Sequence, residues 1–436
     1  MMPLQPQTAG LPSGTFGGRR RHAAVNPTRL LDAPHRLGFF AGGSLLALLA
    51  LWWGGALVAR AAGLVVPWEV TPTTAHALAF VFGFMPLFFV GFLFTAGPRW
   101  LGLPEVPARR LLLPVGLMVL GVAAALVGFH TSSAMAALGL AAVSVGFGLA
   151  TGLFGLMVLE SPAADRDHAR LVLVGCGVIV AALWAAAVAV AIGHDAAARA
   201  TAHGALWGGF GLVFATVAHR MIPFFTAAAL PSMDAWKPRA LLGLLALLVA
   251  VQAPFAVAEA LLGGRVPAGV SALRAAIELP GGALLLWLAL RWGLVQSLKL
   301  RLLAMLHMGF FWLGVAFTLG GVSHALMSLT EGQVSLGLAP LHAFTMGYLG
   351  STLLAMATRV ACGHSGRALV ADNWAWAMFW ALQAGIAARV AAALLPAGAG
   401  TPLTLFAAQC WLAAMGAWAL RYGPWFLQRR VDGRAG

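Results

Sequence analysis

The chain is dominated by apolar stretches that are each long enough to form a membrane-spanning helix. A helix needs about 20 consecutive apolar residues to cross the hydrocarbon core of a bilayer. Such stretches follow one another along the sequence, with short connections rich in Pro, Gly, Arg and Asp. We therefore predict an all-α polytopic membrane protein with twelve transmembrane helices, over residues 37–60, 74–97, 111–129, 134–159, 170–193, 198–222, 239–263, 271–293, 302–329, 338–361, 372–395 and 401–422.

Polar residues outside these stretches lie mainly at the two ends of the chain. Residues 1–36 are rich in Gly, Pro and Arg, a composition typical of disordered segments, and they are predicted to form a cytoplasmic tail. Residues 37–422 form the predicted twelve-helix domain, and residues 423–436 a basic cytoplasmic C-terminal tail. Since no window is left over for a second domain, the function is expected to reside in the helices.

The overall composition excludes several classes of protein. Of the 436 residues, 61% are hydrophobic and 9% are charged, whereas soluble domains carry roughly 25% charged residues. A water-soluble enzyme is therefore excluded. The three cysteines, Cys176, Cys362 and Cys410, are too scattered for a disulfide scaffold or a zinc ribbon, and no Cys-x-x-Cys-His motif is present for covalent haem attachment.

The net charge of +14 is explained by membrane topology. With the N-terminus inside, the cytoplasmic segments hold 22 of the 27 Lys and Arg residues and the outside segments hold four, while Arg389 lies within helix 11. Cationic loops remain cytoplasmic, so both termini are predicted to be cytoplasmic. Because no basic run is interleaved with stacking aromatic residues, nucleic-acid binding is not expected.

Four of the twelve histidines share one depth near the periplasmic ends of their helices: His76, His203, His324 and His342. Ionisable residues within membrane helices are costly and usually functional, and neutral imidazole is a common ligand of haem iron and copper. We predict that His76 and His342 bind one b-type haem. We further predict that His203 and His324 hold a metal, either copper or a second haem iron.

The predicted helices 2, 6 and 10 share a pattern. Each has a histidine near its beginning and an arginine near its other end. The interval is 17 residues both from His203 to Arg220 and from His342 to Arg359, which suggests a four-helix unit repeated three times. Glycines on these helices are predicted to leave room for a macrocycle, although small residues also serve helix packing. They are Gly83, Gly91, Gly204, Gly208, Gly209, Gly211, Gly347 and Gly350.

A second group of histidines lies near the cytoplasmic ends: His219, His307 and His364, joined by His35 before helix 1. This lower group is a candidate for a second haem or metal site, and the alternative is a set of interfacial histidines among arginines. The charged residues Glu259, Glu278 and Arg389 lie in helices near the periplasmic side. We expect them to pair with one another, while the carboxylates remain the candidates for a proton route.

Several motifs resemble those of the NnrS family. They span helices 2 to 10 and are HALAFVFGFMPLFFVGFLFTAGPRWLG (76–102), RMIPFFT (220–226), LHMG (306–309), LHAFTMG (341–347), MATRV (356–360) and GHSGR (363–367). The resemblance implies a multi-pass protein of the bacterial inner membrane that contains haem and copper. It also implies expression in the response to nitric oxide and nitrosative stress.

The function expected from both lines of reasoning is binding of nitric oxide, or electron transfer, through histidine-ligated haem b, with one or two haems and with copper as a further candidate. Its partners would be the lipid bilayer, nitric oxide and a respiratory electron donor. Histidines on helices 2, 6 and 10 also look like those of the catalytic subunit of haem–copper oxidases, although the adjacent histidine pair for copper is missing. A nitric-oxide-reducing enzyme therefore stays an alternative, as does a secondary transporter or an assembly factor without haem.

Overall fold

The computed structural model describes residues 25–396 and 398–433, and all regular structure in these ranges is helical. This confirms the all-α polytopic membrane fold. Eleven of the described helices are long and apolar enough to cross a membrane. They are α1 Pro34–Ala61, α2 Pro72–Leu101, α3 Ala108–Thr131, α4 Ser133–Glu160, α5 Asp167–Ala191, α6 Asp195–Ala229, α7 Arg239–Leu261, α8 Ala268–Arg291, α9 Arg301–Leu329, α11 Asn373–Leu394 and α12 Thr401–Phe426.

The tenth predicted segment also forms a helix, α10, but it is not among those eleven. It consists of three consecutive pieces, Ala339–His342, Ala343–Gly350 and Ser351–His364. Ser351, Thr352 and Thr358 on this helix are buried in the protein, where α10 packs against α9 and α11. Eleven of the twelve predicted segments therefore qualify by length and apolar composition alone. The twelfth, α10, differs because a helix surrounded by protein can carry polar residues that a lipid-facing helix excludes.

Helical structure extends into both predicted tails, at residues before 37 and at residues after 422. Residues 1–24 of the N-terminal tail lie outside the described residues, but Pro27–Leu31 form a short 3-10 helix and α1 begins at Pro34. At the other end of the chain, α12 continues to Phe426, so it takes up the first residues of the predicted C-terminal tail.

The first and last helices meet at one end of the bundle. Arg36 in the first turn of α1 donates hydrogen bonds from Nη1 to the carbonyl oxygens of Phe426 (2.9 Å) and Gln428 (2.8 Å), just at and beyond the end of α12. We call this the lower end of the bundle and the opposite end, where α2, α6 and α10 begin, the upper end.

Three of the eleven helices lie mainly inside the bundle. In their most apolar stretch, α2, α6 and α9 are 83%, 61% and 67% buried, whereas the other eight are 28–50% buried. With the buried polar face of α10, these helices form an inner layer that the remaining helices surround. Side chains that α2, α6, α9 and α10 direct inward therefore face one another and not the lipid.

The similarity between α2, α6 and α10 extends to breaks in their backbone. The helix is interrupted after Phe82 in α2, and it widens to a π-helix over Ala205–Gly211 in α6 and Ala343–Gly350 in α10. The π-helical segment of α6 begins two residues after His203, and that of α10 begins one residue after His342. Such π-helical segments are rare and occur often at functional sites.

The glycines on these helices serve close helix packing. A Cβ atom at Gly209 would lie 2.4 Å from Ile179 Cγ1 of α5, and one at Gly347 would lie 2.7 Å from Trp312 Cγ of α9. Within the described ranges, none of the eight glycines assigned to macrocycle space lines the upper cavity described below. That prediction is wrong, because a small residue lets two backbones approach as readily as it admits a cofactor.

Candidate functional site

A cavity of about 480 Å³ opens at the upper end of the bundle. The four histidines predicted to share one depth all line this upper cavity, and they come from α2, α6, α9 and α10. Its volume falls within the roughly 300–1,000 Å³ of small-molecule and cofactor sites. Most of its wall is apolar, with the rings of Trp53, Phe80, Trp207 and Trp411 among the lining groups.

His76 is held by aromatic rings. Its imidazole stacks on Trp53 of α1, with ring centroids 4.2 Å apart and an angle of 19° between the planes. Its Nδ1 is buried and has no hydrogen-bond partner among the described residues. Next to Trp53, Trp52 donates a hydrogen bond from Nε1 to His130 Nε2 (2.9 Å), and His130 Nδ1 donates to the carbonyl oxygen of Pro67 (2.8 Å).

His342 has one ring nitrogen fixed and the other available. Its Nδ1 lies 3.0 Å from the carbonyl oxygen of Leu338, one helical turn earlier. Because that oxygen can only accept, Nδ1 carries the hydrogen and Nε2 of the neutral ring keeps its lone pair. Histidines that bind metals are typically held in this way, with the second nitrogen donating to a carbonyl or a carboxylate.

A buried network of charged side chains forms another wall of the upper cavity. Arg274 of α8 donates from Nη1 to Glu259 Oε2 (2.6 Å) and from Nε to Glu278 Oε1 (3.0 Å). His324 donates from Nδ1 to the other oxygen of Glu278 (2.6 Å), and its Nε2 lies 3.8 Å from Glu259 Oε2. The side chains of Arg274, Glu278 and His324 are less than 10% exposed.

This network bears on the predicted metal pair His203 and His324. Both nitrogens of His324 are directed toward carboxylates that Arg274 also engages. Within the described part of the chain, no three His, Cys, Asp or Glu side chains form a group that could hold a metal ion. With fewer than three such donors, the set around His203 and His324 does not fit a copper site, while the alternative of a second haem iron stays a prediction.

The charged residues pair differently from the expectation. Glu259 and Glu278 do not pair with Arg389 but with Arg274, one helical turn before Glu278 on α8. Arg389 of α11 lines the upper cavity, and its guanidinium has no hydrogen bond or ion pair to any described residue. Arg199 of α6 also lines it, and its Nη1 donates to Thr74 Oγ1 (3.0 Å), not to a carboxylate.

The floor of the upper cavity is a stack of two rings contributed by the π-helical segments. Trp207 of α6 and Phe344 of α10 lie with ring centroids 3.9 Å apart and an angle of 13° between the planes. Tyr348, whose ring centroid is 6.0 Å from that of Phe344, lies next below it and is fully buried, as is Phe310. A plug of packed aromatic rings thus separates the cavity from the lower end.

The histidines of the lower group occupy three separate environments. The rings of His35 and His364 lie 4.1 Å apart, centroid to centroid, and α10 ends at His364. His307 lies 2.8 Å through Nε2 from Thr226 Oγ1, which itself donates to the carbonyl oxygen of Ile222.

His219 uses both of its ring nitrogens. Its Nε2 donates to the carbonyl oxygen of Pro238 (3.2 Å), so its Nδ1 accepts from Nε2 of His168 (3.0 Å). The neutral ring has no nitrogen left for a metal. Within the lower group, similar depth in the membrane therefore brings only His35 and His364 together.

Several residues of these sites were not predicted. Arg199 and Arg274 are two of the four cations in the predicted outside segments, although the i,i+4 spacing of Arg274 and Glu278 is a recognisable signal for a helical ion pair. His168 and His130 fall just outside the predicted helices over residues 170–193 and 111–129, but they lie on α5 and α3 and form specific hydrogen bonds. Trp53 carried no distinguishing sequence signal.

Together these features define a polytopic α-helical membrane protein with a histidine-lined cofactor-sized cavity open at one end. The sequence model described as NnrS protein matches residues 29–430, nearly the whole chain. The chain therefore belongs to the NnrS family. A comparison with curated protein sequences finds no match.

Proposed function

We propose that this member of the NnrS family is a haem-binding protein of the bacterial nitric-oxide response, and that its haem lies in the upper cavity between His76 and His342. The observation that carries the proposal is how these two imidazoles are held where they line the cavity. Nδ1 of His342 is fixed by a backbone carbonyl, which leaves Nε2 free, and His76 is oriented by Trp53 while its Nδ1 has no partner.

The surroundings of the two histidines fit a haem. The cavity is large and mainly apolar, as a macrocycle requires, and its aromatic walls suit a flat conjugated ring. Haem iron is commonly held by axial histidines from facing helices. Bound haem would supply a one-electron redox centre, and a small gas would bind its iron in place of one of the two imidazoles, while the chain contributes binding, orientation and exclusion of water from below.

The experiment compares haem content in purified wild type and in His76→Ala and His342→Ala. We expect a Soret band in wild type and a large loss of the haem-to-protein ratio in both variants. His194→Asn is the matched control, because His194 lies in the exposed loop before α6 and caps that helix by accepting from Ala197 N (3.2 Å), a role that Asn also fills. Colourless wild type, or an unchanged ratio in both variants, refutes the proposal.

A second measurement separates gas binding from electron carriage. Nitric oxide is added anaerobically to the reduced wild type and to His203→Ala, which alters the cavity without removing either proposed haem ligand. A shifted Soret band supports gas binding. If the spectrum does not change but a one-electron reductant reduces the haem reversibly, electron transfer with a respiratory donor is the supported role.

We also propose that the protein lies in the bacterial inner membrane with the lower end in the cytoplasm. The support is the concentration of Lys and Arg in the segments at that end, together with the meeting of α1 and α12 there. Transport is less well supported than cofactor binding, since the aromatic plug closes the cavity from the lower end.

A further inference from the structure

The upper cavity has more positive groups than its own carboxylates can neutralise. Its lining includes three arginines and two glutamates, and both glutamates are bound to Arg274. Arg199 and Arg389 therefore face the cavity without a carboxylate partner among the described residues. A cation that is partly withdrawn from water is stabilised by an anionic partner, and a planar guanidinium is well suited to a carboxylate.

The two arginines without a carboxylate partner lie near the upper rim, while the wall beneath them is apolar. Arg199 comes four residues after the start of α6, and Arg389 comes five residues before the end of α11, so each is within about two helical turns of the upper end. Arg389 lines the same cavity as His76 and His342.

We infer that the ligand of the upper cavity carries two carboxylates, which Arg199 and Arg389 bind, above an apolar body that lies between His76 and His342. The inference rests on the proposed function and deepens it, because haem b combines an apolar macrocycle with two propionates on one edge. The arginines thereby fix the orientation of the ring, with its propionate edge toward the upper rim.

The test uses chemical removal of the carboxylates. The full-length protein, produced without haem, is titrated with haem and with haem dimethyl ester, in which both propionates are neutral but the macrocycle is unchanged. Binding is followed by the Soret band. We expect wild type to bind haem about tenfold or more tightly than the ester for each ion pair formed, because hydrogen bonds between charged groups are stronger than those between neutral ones. A tenfold difference corresponds to about 1.4 kcal/mol.

In Arg199→Gln/Arg389→Gln we expect the affinity for haem to fall to that for the ester, while ester binding stays at the wild-type level. Unchanged ester binding also shows that the variant is folded. The control is Arg265→Gln, an exposed arginine of the loop between α7 and α8 that does not line the cavity. It should keep the wild-type preference for haem.

Two results would overturn the inference and leave the proposed function intact. In one, wild type binds haem and its ester equally. In the other, the double variant keeps the preference for haem, so the propionates are bound elsewhere. Wild-type protein that binds neither compound would instead overturn the proposed function, and this inference with it.

Discussion

Replacing Arg274 by leucine tests whether the charged network on the cavity wall is buried as the structure places it. Arg274 is 9% exposed and is bound to Glu278, which is 4% exposed, and to Glu259, which is 34% exposed. Removing one partner from a buried ion pair leaves an uncompensated charge, which costs about 3–5 kcal/mol. We expect Arg274→Leu to lower the free energy of unfolding by that amount.

The assay is unfolding of the detergent-solubilised protein in increasing fractions of sodium dodecyl sulfate, followed by the fluorescence of its 16 tryptophans. Glu278→Leu is measured alone and together with Arg274→Leu. Because the double variant removes both charges of the most buried pair, its loss should be smaller than the sum of the single losses, with a coupling energy of about 1–3 kcal/mol.

The control for this series is Arg239→Leu, which breaks the exposed ion pair between Arg239 and Asp167 (2.8 Å). Exposed pairs contribute little, because water screens them and side-chain entropy opposes them. We expect no resolvable change. The reasoning is refuted if Arg274→Leu is no more destabilising than Arg239→Leu, since the network would then be solvated and its charges would not be buried.

Three further predictions follow from other parts of the molecule. His307→Ala should leave the haem-to-protein ratio unchanged, because His307 hydrogen-bonds to Thr226 at the lower end. Loss of haem in this variant would support the prediction of a second haem site among the lower group of histidines. Gly38→Ala should destabilise the fold by about 1–3 kcal/mol, since its Cβ would lie 2.5 Å from Gly91 N of α2. Gly55→Ala is the control and should not destabilise the fold, because the added Cβ meets nothing within 4 Å. Equal losses of unfolding free energy in the two variants would argue against close packing of α1 on α2. A reporter fused after α12 should be active only as a cytoplasmic reporter, and periplasmic activity would reverse the orientation.

The sequence predicts how deep a residue lies in the membrane better than it predicts the direction in which its side chain points around the helix axis. Hydropathy places α1 at 37–60, against Pro34–Ala61 in the structure, because the thickness of the bilayer sets the length of an apolar helix. The same reasoning predicts a common depth for His76 and His342, and they share a cavity. His219 and His364 also share a depth, but they contact different partners.

The partners of the charged residues depend on helix rotation, which hydropathy does not report. The sequence predicts that Arg389 pairs with Glu259 and Glu278, but Arg274 takes this place. Its pair with Glu278 lies within α8, whereas its pair with Glu259 forms between α7 and α8. The glycines were misassigned for a related reason. A glycine at a helix crossing and a glycine beside a cofactor have the same sequence signature, and only the neighbouring atoms distinguish them.

The stacked rings of Trp207 and Phe344 determine where a membrane potential acts on this protein. The cavity above them opens at the upper end, so its contents lie close to the electrical potential of that side, and most of the voltage falls across the dry layer below. Moving one elementary charge through the full potential changes its free energy by about 2.3 kcal/mol per 100 mV. An electron delivered from the upper side would cross little of that field, whereas one delivered from the lower side would cross nearly all of it. For a redox group bound in the cavity, the side from which its electron arrives would therefore decide whether its reduction depends on membrane voltage.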